Sequence, residues 1–139
     1  MRMAQGRIDV ATTGQGFYEV TAQAAAWVAE QGIAAGLLTL FIRHTSASLL
    51  IQENAAPEVR TDLTGFLAGL APEDPSRWRH DDEGADDMPA HARAAMLPVQ
   101  LSVPVAGGRL LLGTWQGIYV VEHRRRAHRR EIALHLIGA

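Results

Sequence analysis

Val99-Gln100-Leu101-Ser102-Val103-Pro104-Val105, a Gly107-Gly108 pair, and then Arg109-Leu110-Leu111-Leu112 decide the fold class. Each apolar run has the length and composition of a strand. The paired glycines supply the positive φ values of a tight hairpin turn. Downstream, Gly117 to Glu122 and Glu131 to Ile137 read as two more strands, joined by a basic loop. Upstream, Asp87 is expected to cap a short helix from Met88 to about Met96, with Pro89 in its first turn. Residues 71–86 form a long loop rich in Pro, Asp and Gly, and loops of that length inside a domain are often functional. Before it, Asn54 is the expected N-cap of a helix whose apolar face is Val59, Leu63, Phe66, Leu67 and Leu70. Gly36 to His44 reads as a mostly buried strand with Ser48 to Gln52 as its short neighbour. A helix capped by Thr21 and closed by Gly32 precedes them. Ile8-Val10 and Phe17-Val20 form two opening strands around Gly14-Gln15-Gly16. The resulting order is ββαββα, loop, short α and four strands. It predicts one α+β domain over residues 1–139, with a mixed or antiparallel sheet and two to three short helices.

Composition narrows the function. The chain has 139 residues, enough for one well-buried core. A net charge of -2 argues against broad nucleic-acid binding, which needs a basic face. There is no cysteine, which excludes disulfides, thiolate metal sites and Cys nucleophiles. Any metal must be held by His, Asp, Glu, carbonyl groups or water. All 13 basic residues are Arg, so Lys Schiff-base chemistry is excluded as well. No apolar run reaches the length of a membrane span or resembles a signal peptide, and a cytoplasmic protein without a membrane partner is expected.

Four segments carry the polar residues of a site. His80-Asp81-Asp82-Glu83-Gly84-Ala85-Asp86-Asp87-Met88-Pro89-Ala90-His91 packs five carboxylates and two imidazoles into twelve residues. Carboxylates this close repel unless solvent, a cation, a proton or an Arg relieves the cost. With Asp87 read as a cap and Asp81 as solvent-facing, His80, Asp82, Glu83 and His91 are the functional candidates. His44-Thr45-Ser46 stands where a buried strand ends, and His44 could be a metal ligand, a proton carrier or a phosphate donor. Gly113-Thr114-Trp115-Gln116-Gly117 suggests a bulge or a close backbone approach that could hold an anion or a planar ring. In Glu122-His123-Arg124-Arg125-Arg126-Ala127-His128-Arg129-Arg130, five arginines fall within seven residues, a composition suited to clamping phosphate or to an exposed hairpin loop.

Taken together with Glu53-Asn54, these motifs resemble the YjbQ-like family, also described as secondary thiamine-phosphate synthases, from about residue 6 to the C-terminus. The resemblance implies an α+β domain assembling as a homotrimer, with a site near subunit boundaries built from the motif residues. It implies a weak thiamine-phosphate synthase activity, joining a pyrimidine diphosphate to a thiazole phosphate with release of pyrophosphate. Many family members carry Cys near Ser46 or Ala47, and this chain does not. On this reading His44, Ser46, Asp82, Glu83 and His91 are the catalytic candidates. Thr45, Asn54, Thr114, Trp115, Gln116, Gly117 and Arg129 are the ligand-binding candidates, with Trp115 stacking the pyrimidine. The partner is a small phosphorylated metabolite. The divalent metal is either Mg²⁺ on Asp82, Glu83 and Asp86 with the diphosphate, or a transition metal such as zinc on His44, His80 and His91. A metal-dependent hydrolase at the same residues and a non-catalytic metabolite-binding trimer are the alternatives.

Overall fold

Eight strands and three helices are built around two antiparallel sheets in the computed structural model, which describes all residues 1–139. The strands are β1 (Arg2–Thr12), β2 (Gly16–Glu19), β3 (Ala35–Ile42), β4 (Ala47–Glu53), β5 (Gln100–Ala106), β6 (Arg109–Leu110), β7 (Gln116–Glu122) and β8 (His128–Gly138). The helices are α1 (Thr21–Glu30), α2 (Pro57–Leu70) and α3 (Asp87–Met96), with a short 3₁₀ turn at Pro75–Arg77. One sheet has the order β1-β8-β3-β5-β6 and the other β2-β7-β4. The α+β class stands, and every strand pair is antiparallel.

Period-two alternation builds the core. Leu38, Leu40 and Ile42 of β3 face inward beside Ile132, Leu134 and Leu136 of β8, and meet Leu49, Ile118 and Val120 of the smaller sheet and Val28 of α1. Each fully buried aliphatic side chain contributes roughly 1.5–3 kcal/mol. The Gly107-Gly108 turn is as expected: φ values of +59° and +72° close the β5–β6 hairpin.

Several local expectations are corrected. The segment Ser48 to Gln52 is not paired with its predecessor. β3 lies between β5 and β8, and β4 pairs with β7. Residues 43–46 carry the chain from one sheet to the other. Gly14 and Gly16, at φ +144° and +150°, do the same between β1 and β2, which also lie in different sheets. Neither Thr21 nor Asn54 caps a helix. The Thr21 hydroxyl donates to Glu19 Oε2 and accepts from the Ile118 N–H, and the Ala56 N–H at the start of α2 is taken by the Glu53 carboxylate. Of the expected apolar face of α2, Leu67 is buried whereas Phe66 is 61% exposed.

This topology brings the end of β3, the start of β4, the end of β7 and the start of β8 to one end of the two-sheet stack. Ala47 pairs with Glu122, and Thr12 with His128. α3 lies beside that end: the Pro98 carbonyl that follows it accepts from Leu49 N–H.

Candidate metal centre

The first residue of α3 is the centre of the site. Asp87 and His91 stand one helical turn apart on one face, and the loop before α3 delivers His80 to the same place. Asp87 Oδ2 lies 2.9 Å from His80 Nε2 and 3.1 Å from His91 Nε2. One ligand atom from each of the three residues falls within 4.8 Å of the others. The expectation that Asp87 is a helix cap is therefore corrected. Asp86 occupies the cap position, and neither carboxylate bonds an N–H of the first turn of α3. Asp87 is 1% exposed because Arg124 pulls it inward: Nη1 donates to Oδ1 at 2.8 Å.

Arg124 organises this end of the chain. Its Nε donates to Asp86 Oδ2 at 3.0 Å, and its Nη2 to the Glu83 carbonyl at 2.9 Å. Burial alone would raise the Asp86 carboxyl. Hydrogen bonds from Arg124 and from the Arg125 N–H outweigh it and hold the group below its ordinary value. The acidic loop is thus fastened by one arginine of the β7–β8 loop, which relieves the carboxylate repulsion seen in the sequence.

The tautomer of His91 decides what the cluster can hold. His91 Nδ1 lies 2.8 Å from the Thr45 carbonyl, which can only accept, so Nδ1 carries a hydrogen. In a neutral ring Nε2 is then bare, and its lone pair faces Asp87 Oδ2. Two lone pairs at 3.1 Å repel unless a proton or a cation lies between them. A backbone carbonyl that fixes one ring nitrogen while the other faces a carboxylate is the arrangement of a metal-ligating histidine, and an Arg on the far carboxylate oxygen completes its outer support. Two imidazoles and one carboxylate suit zinc or another transition metal, with open positions for water or substrate.

The other expected residues fall in three places. His44 is not in the ligand cluster. Its Nε2 accepts from Glu131 N–H at 2.8 Å, and its Nδ1 lies 3.4 Å from Arg130 Nη1. Burial, followed by the Arg130 charge, lowers its pKa below 6.5. It nevertheless shares a cleft with Thr45, His91, Ala94, Ala95 and Val99. Ser46 is buried, and its hydroxyl accepts from Arg130 Nη2. Asp82 and Glu83 are exposed, and the Glu83 contact is its backbone carbonyl. Asn54, Thr114, Trp115, Gln116 and Gly117 lie at the opposite end of the smaller sheet, where Glu53 pairs with Gln116. Six residue steps along β4, from Ala47 to Glu53, separate the two ends, about 20 Å at roughly 3.3 Å per step. There Trp115 is 62% exposed, and a Cβ on Gly117 would meet Glu19 Oε2 at 2.7 Å and the Tyr119 ring at 3.1 Å. Arg129 points to solvent, with Asp9 3.8 Å away.

The site's buried arginines are instead Arg124 and Arg130. Arg130 alternates inward with Ile132, Leu134 and Leu136 along β8, a register that the sequence carries. Behind them, the unforeseen His123 lies with Nε2 2.9 Å from Ser48 Oγ.

A family model described as "UPF0047 protein YjbQ-like" matches residues 6–139. The chain belongs to the YjbQ-like family. Among its family relatives, UPF0047 protein sll1880 of Synechocystis is 49% identical over 137 residues, covering 99% of this chain and 93% of that protein. UPF0047 protein YjbQ of Escherichia coli O157:H7 is 41% identical, covering 96% and 97%. Among solved structures, the hypothetical protein APE1520 of Aeropyrum pernix K1 superposes with a TM-score of 0.87 at 29% identity, over 98% of this chain and 99% of that one. A yjbq/upf0047 protein of Clostridium acetobutylicum gives 0.82 at 28% identity, over 94% and 98%. Three of these four names carry the family and none carries an activity, so the family supports the fold and leaves the thiamine-phosphate synthase description without support.

Proposed function

We propose that His80, Asp87 and His91 hold one divalent transition metal, with zinc the best fit, and that this centre serves chemistry on a small phosphorylated molecule. The observation that carries the reading is the convergence of His80 Nε2 and His91 Nε2 on one oxygen of the buried Asp87 carboxylate, at 2.9 and 3.1 Å, with His91 Nδ1 already committed to the Thr45 carbonyl. A bound metal would act as a Lewis acid on a phosphoryl oxygen or acidify a bound water. The chain's own part is to fix three ligands: Thr45 sets the His91 ring, Arg124 sets the Asp87 carboxylate, and α3 sets their spacing. Both hydrolysis of a phosphate ester and loss of pyrophosphate in thiamine phosphate formation draw on that assistance.

Zinc titration against a competing chelator tests the centre. The wild-type chain is expected to bind one equivalent, and His80→Ala and His91→Ala to bind at least about 100-fold more weakly, since even outer-shell losses cost 10–100-fold. The exposed Asp82→Ala serves as the control and is expected to bind as the wild type does. Unchanged zinc affinity in both His variants overturns the proposal. With loaded protein, product analysis on phosphate esters and on the two thiamine precursors separates hydrolysis from synthesis.

The proposal includes assembly as a homotrimer. Leu37, Phe41 and Ile137 are exposed on the outer face of the five-stranded sheet, and an exposed apolar patch of this kind suits contact between copies. Assembly also supplies a way for the distant Asn54 and Trp115 end to approach a neighbour's metal centre. Light scattering at micromolar concentration is expected to give three chain masses, and a monomer would remove this part.

A further inference from the structure

His44 is surrounded by donors. The Glu131 N–H occupies one ring nitrogen at 2.8 Å and Arg130 Nη1 approaches the other at 3.4 Å. A neutral imidazole has one lone pair on its two nitrogens, so it can accept from only one of them. The shorter, backbone contact fixes the lone pair on Nε2. Nδ1 therefore carries the hydrogen, and it faces a guanidinium that also only donates. Arg130 is 4% exposed. Its Nε and Nη2 bond Glu122 and Ser46, and the one neighbour of its Nη1 is His44 Nδ1. Two adjacent donors, one belonging to a buried arginine, thus lack an acceptor. Buried donors are rarely left so, because each costs the full penalty of desolvation.

His44 lines the cleft that it shares with Thr45 and the metal-ligand candidate His91. We infer that the mouth of this cleft is an oxyanion site, in which a phosphoryl oxygen of the substrate accepts from His44 Nδ1–H and Arg130 Nη1. This inference rests on the metal reading for its substrate class. An oxygen at that position belongs to a molecule that also reaches the His91 side of the metal centre, so the group held is the phosphoryl group on which the centre acts. Glu122 already neutralises Arg130 and Arg43 pairs with Glu131, so the pair of donors serves as a directional hydrogen-bonding site beside the metal charge.

Two conservative variants divide this role from a structural one. In His44→Asn the side-chain amide nitrogen takes the place of Nδ1, keeping the donor at the cleft and giving up the acceptor for Glu131 N–H. In His44→Gln the amide oxygen can take the place of Nε2, keeping the contact to Glu131 and losing the donor. Titration calorimetry with inorganic phosphate is the readout, on zinc-loaded and on chelator-treated protein. His44→Gln is expected to bind phosphate at least about tenfold more weakly than wild type, the loss of a hydrogen bond to a charged group. His44→Asn is expected to stay within about threefold of wild type on the same scale. Acetate is expected to compete poorly in both. Equal phosphate affinity in the two variants, or weaker binding by His44→Asn, overturns the oxyanion site. Zinc stoichiometry is measured separately on the same samples. Loss of zinc binding in wild type would remove the metal reading, and the Asn/Gln difference on metal-free protein would still judge the oxyanion site.

Discussion

Glu122→Ala is expected to destabilise the fold by about 3–5 kcal/mol, the range for removing one partner of a buried ion pair. Glu122 sits at the end of β7, completely enclosed, and receives Arg130 Nε, Thr12 Oγ1 and the Arg124 N–H. Burial would raise this carboxyl. The hydrogen bonds from Arg130, Thr12 and Arg124 N–H overcome that and hold it below its ordinary 4.5. Truncation removes every one of these acceptors and leaves the Arg130 charge in the core. A domain of this size has about 5–15 kcal/mol in total, so the variant loses a large fraction of its stability. Guanidinium unfolding followed by circular dichroism is the measurement, with the slope unchanged and the midpoint sharply lower. The double variant Glu122→Leu with Arg130→Met is expected to recover much of the loss, because no unpaired charge remains. A single-variant loss below about 1 kcal/mol would mean that water reaches this pair, contrary to its burial.

The ion pair also shows why part of this molecule could be read in the sequence and part could not. Strand periodicity is local, so β3, β5, β7 and β8 were legible, as was the Gly107-Gly108 turn. Partnership between strands is not local. Ser48 to Gln52 has the composition of a strand wherever it pairs, and only the three-dimensional crossing at residues 43–46 assigns it to β7. The site divides in the same way. His80 and His91 were legible as ligand candidates because two imidazoles flanked an acidic loop. Asp87 was concealed by a rule that is right for most helices, since an Asp at a helix start usually caps. Here Arg124, 37 positions later, draws the carboxylate away from the helix. His44 has the correct residue type for a ligand, but a backbone N–H of β8 occupies its ring nitrogen. Among five arginines in one basic segment, composition could not single out Arg124 and Arg130. Alternation along β8 reaches Arg130, which is one place from the expected Arg129, and long-range pairing alone reaches Arg124.

Acid is expected to unfold this protein earlier than its carboxylates alone would dictate. His123, 2% exposed, is held neutral, its pKa lowered to about 4 from the ordinary 6.5. Burial is the largest cause and the Arg93 charge on α3 acts in the same direction; Glu122 pulls the other way, and Arg130 on β8 adds a smaller push downward. The unfolded chain therefore takes up a proton near pH 6.5 that the folded chain refuses until about pH 4. The unfolded state binds more protons in that window, so stability is complete above pH 6.5 and falls as pH falls towards 4. At about 1.4 kcal/mol per pH unit for one proton, the gap is worth about 3 kcal/mol. Glu122 and Asp86, both held below their ordinary values, keep their contribution until lower pH and lose it only below their unfolded pKa values of 4.5 and 3.8. His44 is lowered too and adds to the loss in the histidine window. Urea midpoints measured from pH 7.5 to 4.5 are the check, covering the window in which histidine is expected to titrate. Wild type is expected to show a steadily falling midpoint, and His123→Gln, which keeps a hydrogen-bonding group near Ser48 and cannot be protonated, a much flatter one. A wild-type midpoint that stays level down to pH 5, or an unaltered slope in His123→Gln, would show that His123 is solvated or already charged in the folded chain, and the buried polar layer behind the candidate metal centre would then need a different account.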